Sequence, residues 1–270
     1  MINLKETEFR ELTMYIKKNY GINLTEKRHL IEGRLSNLII EQGFVDFSDY
    51  LKFVFADASG KEMNSLINKL TTNHTFFMRE AEHFDFFRDK VLPELKTASK
   101  TKDLRIWSAG CSSGEEPYTL AMIIEEYFGK DKSMWDTKIL ATDISERVLE
   151  IAQNGIYTEE AVKTIPRVWG LKHFNKIKDG NCQISEKIRN EIIYRKFNLM
   201  SEVFPFEKKF NVIFCRNVMI YFEQKTKMEL IKKFYDMTES GGYLFIGHSE
   251  SLNKDETEYK YIMPAVYRKG

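Results

Sequence analysis

The stretch Leu104-Arg-Ile-Trp-Ser-Ala-Gly-Cys-Ser-Ser-Gly-Glu-Glu-Pro-Tyr118 concentrates residue types suited to holding a ligand. A short apolar run passes into a loop of small residues, and the loop opens directly into an amphipathic segment. Small residues let the backbone approach a ligand closely, and a helix start supplies N–H groups with no intrahelical partner. The next apolar run, Lys138-Ile-Leu-Ala-Thr-Asp143, ends on an acid. A carboxylate at that strand end accepts hydrogen bonds from both ribose hydroxyls, and the alternative for Asp143 is a helix N-cap. A small-residue loop with an acidic strand end reads as a nucleoside site.

Two further strand ends carry polar or small residues: Asn198-Leu199, and Arg216-Asn-Val-Met-Ile-Tyr221. In an open parallel sheet, ligands lie beyond the carboxyl ends of the strands, so these residues and the loop converge on one crevice. Asn217 could orient a ligand there or only turn the chain, and Tyr221 could border the reacting group or only pack. Glu116 falls in a first helical turn, where the helix dipole favours any carboxylate. Before the sheet, Thr71-Thr-Asn-His-Thr-Phe-Phe-Met-Arg-Glu80 has neither helical nor strand periodicity. It reads as a lid carrying Arg79 towards an anionic group, or as a linker with two docked aromatics.

These residues need a scaffold, and the apolar spacing supplies one. Phe47, Tyr50, Leu51 and Val54, then Met63, Leu66, Ile67 and Leu70, repeat at helical intervals. Ile31, Leu35, Leu38 and Ile39 form another stripe, with Thr25 expected as its N-cap. Residues 1–78 therefore read as a small helical domain and 79–100 as a linker with a connecting helix. From Leu104 onward, strand-like runs alternate with helical ones, the signature of a parallel α/β sheet covered on both faces. Glu258 to Arg268 is expected to add one antiparallel closing strand, after a turn at Ser240-Gly-Gly242. Lys178-Asp-Gly-Asn181 is a hairpin turn signal, placing a small β-subdomain at about 170–193 within the 101–270 domain.

The bulk numbers narrow the class. The chain has 270 residues, 43% hydrophobic and 13% aromatic, and a formal net charge of +1. That balance gives no global field for nucleic acid or anionic membrane. Cys111, Cys182 and Cys215 form no C-x-x-C pair, so neither a metal site nor a disulfide is expected, and a reducing cytoplasm fits. No run approaches the roughly 18 apolar residues of a membrane span, and no membrane insertion is expected.

The dinucleotide fingerprint is absent. Ser108-x-Gly110-x-Ser112-x-Gly114 is instead similar to the first motif of S-adenosylmethionine-dependent methyltransferases, with serine at two marked positions. Together with Asn73-His-Thr-Phe-Phe-Met-Arg-Glu80, Ala141-Thr-Asp-Ile144, Phe214-Cys-Arg-Asn-Val-Met-Ile-Tyr-Phe222 and Gly247-His-Ser-Glu250, the chain resembles the chemotaxis receptor methyltransferases of CheR type. The resemblance implies a Rossmann-like methyltransferase domain behind an all-α domain. It implies methyl transfer from S-adenosylmethionine, leaving S-adenosylhomocysteine, to glutamates on chemoreceptor signalling helices. It implies cofactor contacts at Asn73, Thr75, Arg79, Gly110, Glu116, Asp143, Asn198, Leu199, Asn217 and Val218, with Arg79 and Tyr221 at the reacting groups.

Two departures stand out. The family's second helix carries a dense arginine row facing the receptor. Here only Arg28 and Arg34 remain, with Asn37 and Ile40 at later positions. The Lys178–Asn181 loop is also short, which implies the kind of member that does not use a receptor's C-terminal pentapeptide tether. An adenine methyltransferase would want an [Asp/Asn]-Pro-Pro-[Tyr/Phe] motif, where Arg216-Asn-Val-Met219 stands instead. The competing expectations are a carboxyl methyltransferase of a small molecule or another signalling protein, and a non-catalytic cofactor-binding regulator.

Overall fold

The computed structural model describes residues 2–71 and 73–270. It divides into two compact units, residues 1–73 with 221–226, and residues 74–220 with 227–270. In the first unit, α1 (Glu6–Tyr20), α2 (Arg28–Glu41), α3 (Phe47–Ala56) and α4 (Lys61–Leu70) bury the stripes that the periodicity marks out. Leu12, Ile16, Ile31, Leu35, Ile39, Phe47 and Leu66 are wholly inaccessible. Asp46 caps α3 by accepting from Asp49 N–H (3.0 Å), and Gly21 ends α1 at φ +74°. Thr25 does not cap α2, which begins at Arg28 behind Lys27. Thr25 is turned away because its N–H and hydroxyl both donate to Asn23 Oδ1, at 3.1 and 2.7 Å.

In the second unit the chain opens with α5 (Ala81–Phe86), a π-type turn (Phe87–Val91) and α6 (Leu92–Ala98). Phe84, Phe87, Val91 and Leu92 from these turns are buried in the main core. The segment expected as a linker is therefore a structural layer of the unit. Next come β1 (Ile106–Ala109), α7 (Glu115–Phe128), β2 (Ile139–Asp143), α8 (Glu146–Asn154) and β3 (Ile156–Thr158). The short helices α9 (Glu159–Val162) and α10 (Arg167–His173) lead to β4 (Phe174–Lys176) and β5 (Asn181–Ile184). After α11 (Glu186–Arg189) and β6 (Ile192–Lys196) follow β7 (Phe210–Cys215), α12 (Gln224–Met237), β8 (Thr238–Ile246), β9 (Lys260–Met263) and β10 (Val266–Arg268).

The main sheet runs β6-β2-β1-β7-β8-β10-β9, parallel through β8. The expected single closing strand is an antiparallel pair, because Ala265 at φ +62° folds β10 back between β8 and β9. Ser240–Gly242 is not a separate turn but a kink inside β8, where the ladder to β7 shifts register. A Cβ at Gly242 would stand 2.8 Å from the Asn211 carbonyl, so only glycine lets the strands approach there. The small sheet, β3-β5-β4, starts at Ile156, well before the expected 170, because β3 is recruited from the end of α8. Its Lys178–Asn181 hairpin turns through Asp179 and Gly180, both at positive φ, as a tight two-residue turn demands.

Both faces of the central strands β1, β2 and β7 are covered, so these strands read as nearly unbroken apolar runs. Trp107 packs against Phe197, Phe204, Phe206, Phe210 and Phe234, and its indole N–H donates to Thr142 Oγ1 (2.9 Å). Elsewhere in the core, Phe214 and Phe245 stack at 4.3 Å, with Phe84 and Phe87 beside Phe214. The strand order reverses between β1 and β7, which fixes the crevice at their carboxyl ends. Among the described residues, no helix is long and apolar enough to cross a membrane.

Candidate functional site

The β1–α7 loop bends through three left-handed residues, Gly110 (φ +83°), Ser112 (φ +49°) and Gly114 (φ +96°). Gly110 N–H and Cys111 N–H both donate to the Thr142 carbonyl (2.8 and 2.9 Å), pinning the loop to the end of β2. A Cβ at Gly110 would meet Val218 Cγ2 at 2.4 Å, and one at Gly114 would meet Ala152 Cβ at 2.8 Å. The tyrosines brace the turn from below: Tyr157 donates to the Ser113 carbonyl (2.7 Å) and Tyr118 to the Ala152 carbonyl (2.6 Å).

Asp143 is buried at the end of β2. Its Oδ2 accepts from Ser112 N–H (2.9 Å) and its Oδ1 from Ser145 N–H (3.0 Å). Burial raises its pKa against those bonds, and among the described residues no ion pair reaches it. The N-cap of α8 is Ser145, which accepts from Val148 N–H, so Asp143 is not the cap. The Ile144 N–H also bonds this carboxylate, and of its roughly four acceptor positions capacity remains for a hydroxyl donor.

Glu116 lies at the start of α7, accepting from Ser108 Oγ (2.7 Å) on one oxygen and from Arg216 Nη1 (3.0 Å) on the other. Arg216, at the end of β7 and almost wholly buried, also donates through Nη2 to the Arg79 carbonyl and to Glu80 Oε2 (3.1 Å). Its guanidinium lies over Phe84. Glu80 Oε1 accepts from Asn217 Nδ2 (3.2 Å), and Glu80 Oε2 from His248 N–H (3.2 Å). Burial alone would raise the Glu80 pKa. The Arg216 cation and these hydrogen bonds outweigh it and hold the carboxyl below its ordinary range. Asn217, at φ +57°, donates its N–H to Glu250 Oε2 (3.0 Å), which also accepts from Gly247 N–H (2.6 Å). Burial pushes the Glu250 pKa up.

His83 stands beside this network with its Nδ1 3.5 Å from Glu80 Oε2 and its ring edge-on to His248. Neither ring nitrogen closes a well-aligned hydrogen bond, the Pro264 carbonyl offering only a poor acceptor. Burial, then the nearby Arg216 cation, push its pKa down to about 4. Glu80, His83 and His248 present ligand atoms within 4.8 Å of one another. The Arg216 guanidinium already occupies the Glu80 carboxylate, a poor neighbour for a metal ion. The three cysteines are free and buried, and burial raises the thiol pKa of Cys111 and Cys215 well above the ordinary value.

The structure brings Thr75, Arg79, Gly110, Glu116, Asp143, Asn198, Leu199, Asn217 and Val218 into one unit, while Asn73 and Tyr221 belong to the other. The Arg79 guanidinium donates to the His74 carbonyl (2.7 Å). Asn198 Oδ1 accepts from Met200 N–H (2.9 Å), and Leu199 is buried after β6. The Tyr221 carbonyl accepts from Asn23 N–H (2.8 Å). Arg28 binds the Leu4 carbonyl (2.5 Å) and Glu6. Arg34 donates to the carbonyls of Leu70 (2.7 Å) and Thr71 (3.2 Å), closing the C-terminus of α4. Sequence reasoning assigned no role to Glu80, Glu250, His83 or His248. The available signal was Arg216 itself, since a cation directly after a buried strand requires carboxylates nearby.

The donor set suits S-adenosylmethionine. The loop has no side chains in the way at Gly110 and Gly114, and Asp143 keeps acceptor capacity for a ribose. Residues 73–267 match the family model described as CheR methyltransferase, SAM binding domain, and residues 7–71 match CheR methyltransferase, all-alpha domain. The chain is 45% identical to the chemotaxis protein methyltransferase of Borreliella burgdorferi, over 100% of this chain and 96% of that one. It is 36% identical to a probable chemotaxis protein methyltransferase of Rhizobium etli, over 94% and 100%. With the Escherichia coli chemotaxis protein methyltransferase it shares 33% identity over 98% and 91%. The chain belongs to the CheR methyltransferase family, and its cofactor is S-adenosylmethionine.

Proposed function

We propose that this chain methylates glutamate side chains on chemoreceptor signalling helices, giving glutamyl methyl esters. The full-length 45% identity to a chemotaxis protein methyltransferase carries this reading, and the crevice chemistry supports it. Bound S-adenosylmethionine supplies a methyl group on a sulfonium, open to in-line displacement by a carboxylate oxygen. A glutamate with an ordinary pKa of about 4.3 is already ionised at neutral pH, so no general base is required. Consistent with that, the carboxylates near the loop have other tasks: Glu116 and Glu80 are both tied to Arg216.

Within this reading, Asp143 takes a ribose hydroxyl, and the Gly110–Gly114 loop with Val218 receives the rest of the nucleoside. Asn73, Thr75, Arg79, Glu116, Asn198, Leu199 and Asn217 complete the cofactor contacts. Arg79 orients the acceptor carboxylate, and Tyr221, by its place in the Arg216–Phe222 motif, borders the reacting methyl. Alignment of this kind is worth about 7–11 kcal/mol in favourable cases. Arg28 and Arg34 are the substrate-side residues of the first unit. Because both are held by internal carbonyls, docking relies on them less than on a free arginine row. The short hairpin at Lys178–Asn181 fits a member that works without a pentapeptide tether.

The test is transfer of tritiated methyl from S-adenosylmethionine to a chemoreceptor signalling fragment and to its glutamate-to-glutamine variant. Volatile methanol released by alkali from the first, and none from the second, is the expected result. Cofactor binding without transfer to the fragment would overturn the acceptor assignment.

A further inference from the structure

Glu80, to which the sequence assigned no role, ties together several of the segments that shape the crevice. It sits at φ +56°, a backbone conformation that a non-glycine residue adopts only when its surroundings fix it. Its carboxylate gathers three donors from two strand ends: Arg216 and Asn217 after β7, and the His248 N–H after β8. The carbonyl just before it, that of Arg79, is held by the same Arg216 guanidinium. Arg216 in turn reaches Glu116 at the start of α7, and Glu116 reaches Ser108 at the end of β1. The segment before the sheet, the loop helix and three strand ends thus share one buried charge network. Within it, two carboxylates face one guanidinium.

We propose that Glu80 is a positioning residue for the cofactor site: it anchors the Arg79 backbone and the Asn217 amide to the ends of β7 and β8. The inference rests on the family's cofactor assignment and is independent of which acceptor is methylated. Glu80 touches neither cofactor nor acceptor in this scheme. It acts through Arg79, Asn217 and, by way of Arg216, Glu116. The orientation of these groups depends on a carboxylate that accepts from three sides at once. A neutral amide at position 80 accepts through one oxygen only, and it turns an NH2 towards Asn217 Nδ2 or the guanidinium, both donors. One buried donor is left without a partner, and the left-handed segment loses the contacts that fix it.

The experiment is calorimetric titration of wild type, Glu80→Gln and the exposed neighbour Glu82→Gln with S-adenosylhomocysteine. It is run well below the melting temperature, with folding checked by near-ultraviolet circular dichroism. Glu80→Gln is expected to weaken binding about tenfold, the usual order for a buried donor left unpaired. Glu82→Gln is expected to bind as wild type does. In steady state, Glu80→Gln raises the KM for the methyl donor by about the same factor. A residue that only stabilised the fold would move neither constant at that temperature. A folded Glu80→Gln that binds as tightly as wild type would overturn the proposal. Should it not fold, the conservative Arg216→Lys, which removes one arm of the guanidinium, must show the same selective loss of affinity for the proposal to stand. Absence of binding by wild type would instead overturn the cofactor assignment.

Discussion

Replacing Gly110 with alanine puts the loop geometry under direct strain. Gly110 has φ +83°, and a Cβ there comes to 2.4 Å from Val218 Cγ2. Left-handed backbone costs an L-residue about 1–2 kcal/mol. The contact is with a β-branched side chain that cannot swing aside freely, and forcing a methyl into a packed site costs about 1–3 kcal/mol more. Relaxation by sliding the loop is blocked, because the Gly110 and Cys111 N–H groups are both bound to the Thr142 carbonyl. The sum is about 2–5 kcal/mol, divided between lost stability and lost affinity. Urea unfolding measures the first part and calorimetric titration with S-adenosylhomocysteine the second, where a loss of at least about tenfold is expected from 1.4 kcal/mol. Adding Val218→Ala removes the collision but not the backbone cost. The double variant should therefore recover the packing share and remain about 1–2 kcal/mol short of Val218→Ala alone. A Gly110→Ala protein with wild-type stability and affinity would refute the close approach between the loop and Val218.

Asp143→Asn should separate stability from binding. The amide keeps one backbone bond and no longer suffers the burial cost of a charge, so unfolding free energy moves by only about 1 kcal/mol, while calorimetric affinity for S-adenosylhomocysteine falls about tenfold or more as acceptor positions are lost. Arg34→Ala removes the side chain that closes the end of α4 and should cost about 1–2 kcal/mol in urea unfolding, a loss that Arg34→Lys repairs only in part. His83 supplies a pH signature. Its native pKa of about 4 lies below its ordinary 6.5, so the unfolded chain binds more protons between those values, and its contribution to stability falls as the pH drops through that window. The full difference is about 3 kcal/mol. His83→Phe should flatten the stability-versus-pH curve between pH 6.5 and 4 relative to wild type, and parallel curves would show that His83 is not buried neutral.

The sequence by itself determined the α/β pattern and the places where ligand groups gather. Strands with both faces covered are continuous apolar runs, and the chain must leave each one on small or polar residues; hence Gly110, Asp143 and Asn217 stood out at their strand ends. Helical periodicity likewise marked α3 and α4, because their burial repeats at fixed local intervals. Features that depend on distant partners were not legible. Thr25 has the residue type of an N-cap, but Asn23 takes its hydroxyl first. Gly241-Gly242 reads as a turn, yet the ladder to β7 absorbs it as a kink. The small sheet starts at Ile156 because β3 finds its partner in β5 across the chain. The pairing of Arg216 with Glu80 and Glu116 likewise joins residues a hundred or more positions apart. Local spacing determines which side chains share a face of an element, but the low-dielectric interior decides which charges must meet, and only the packed tertiary structure brings them together.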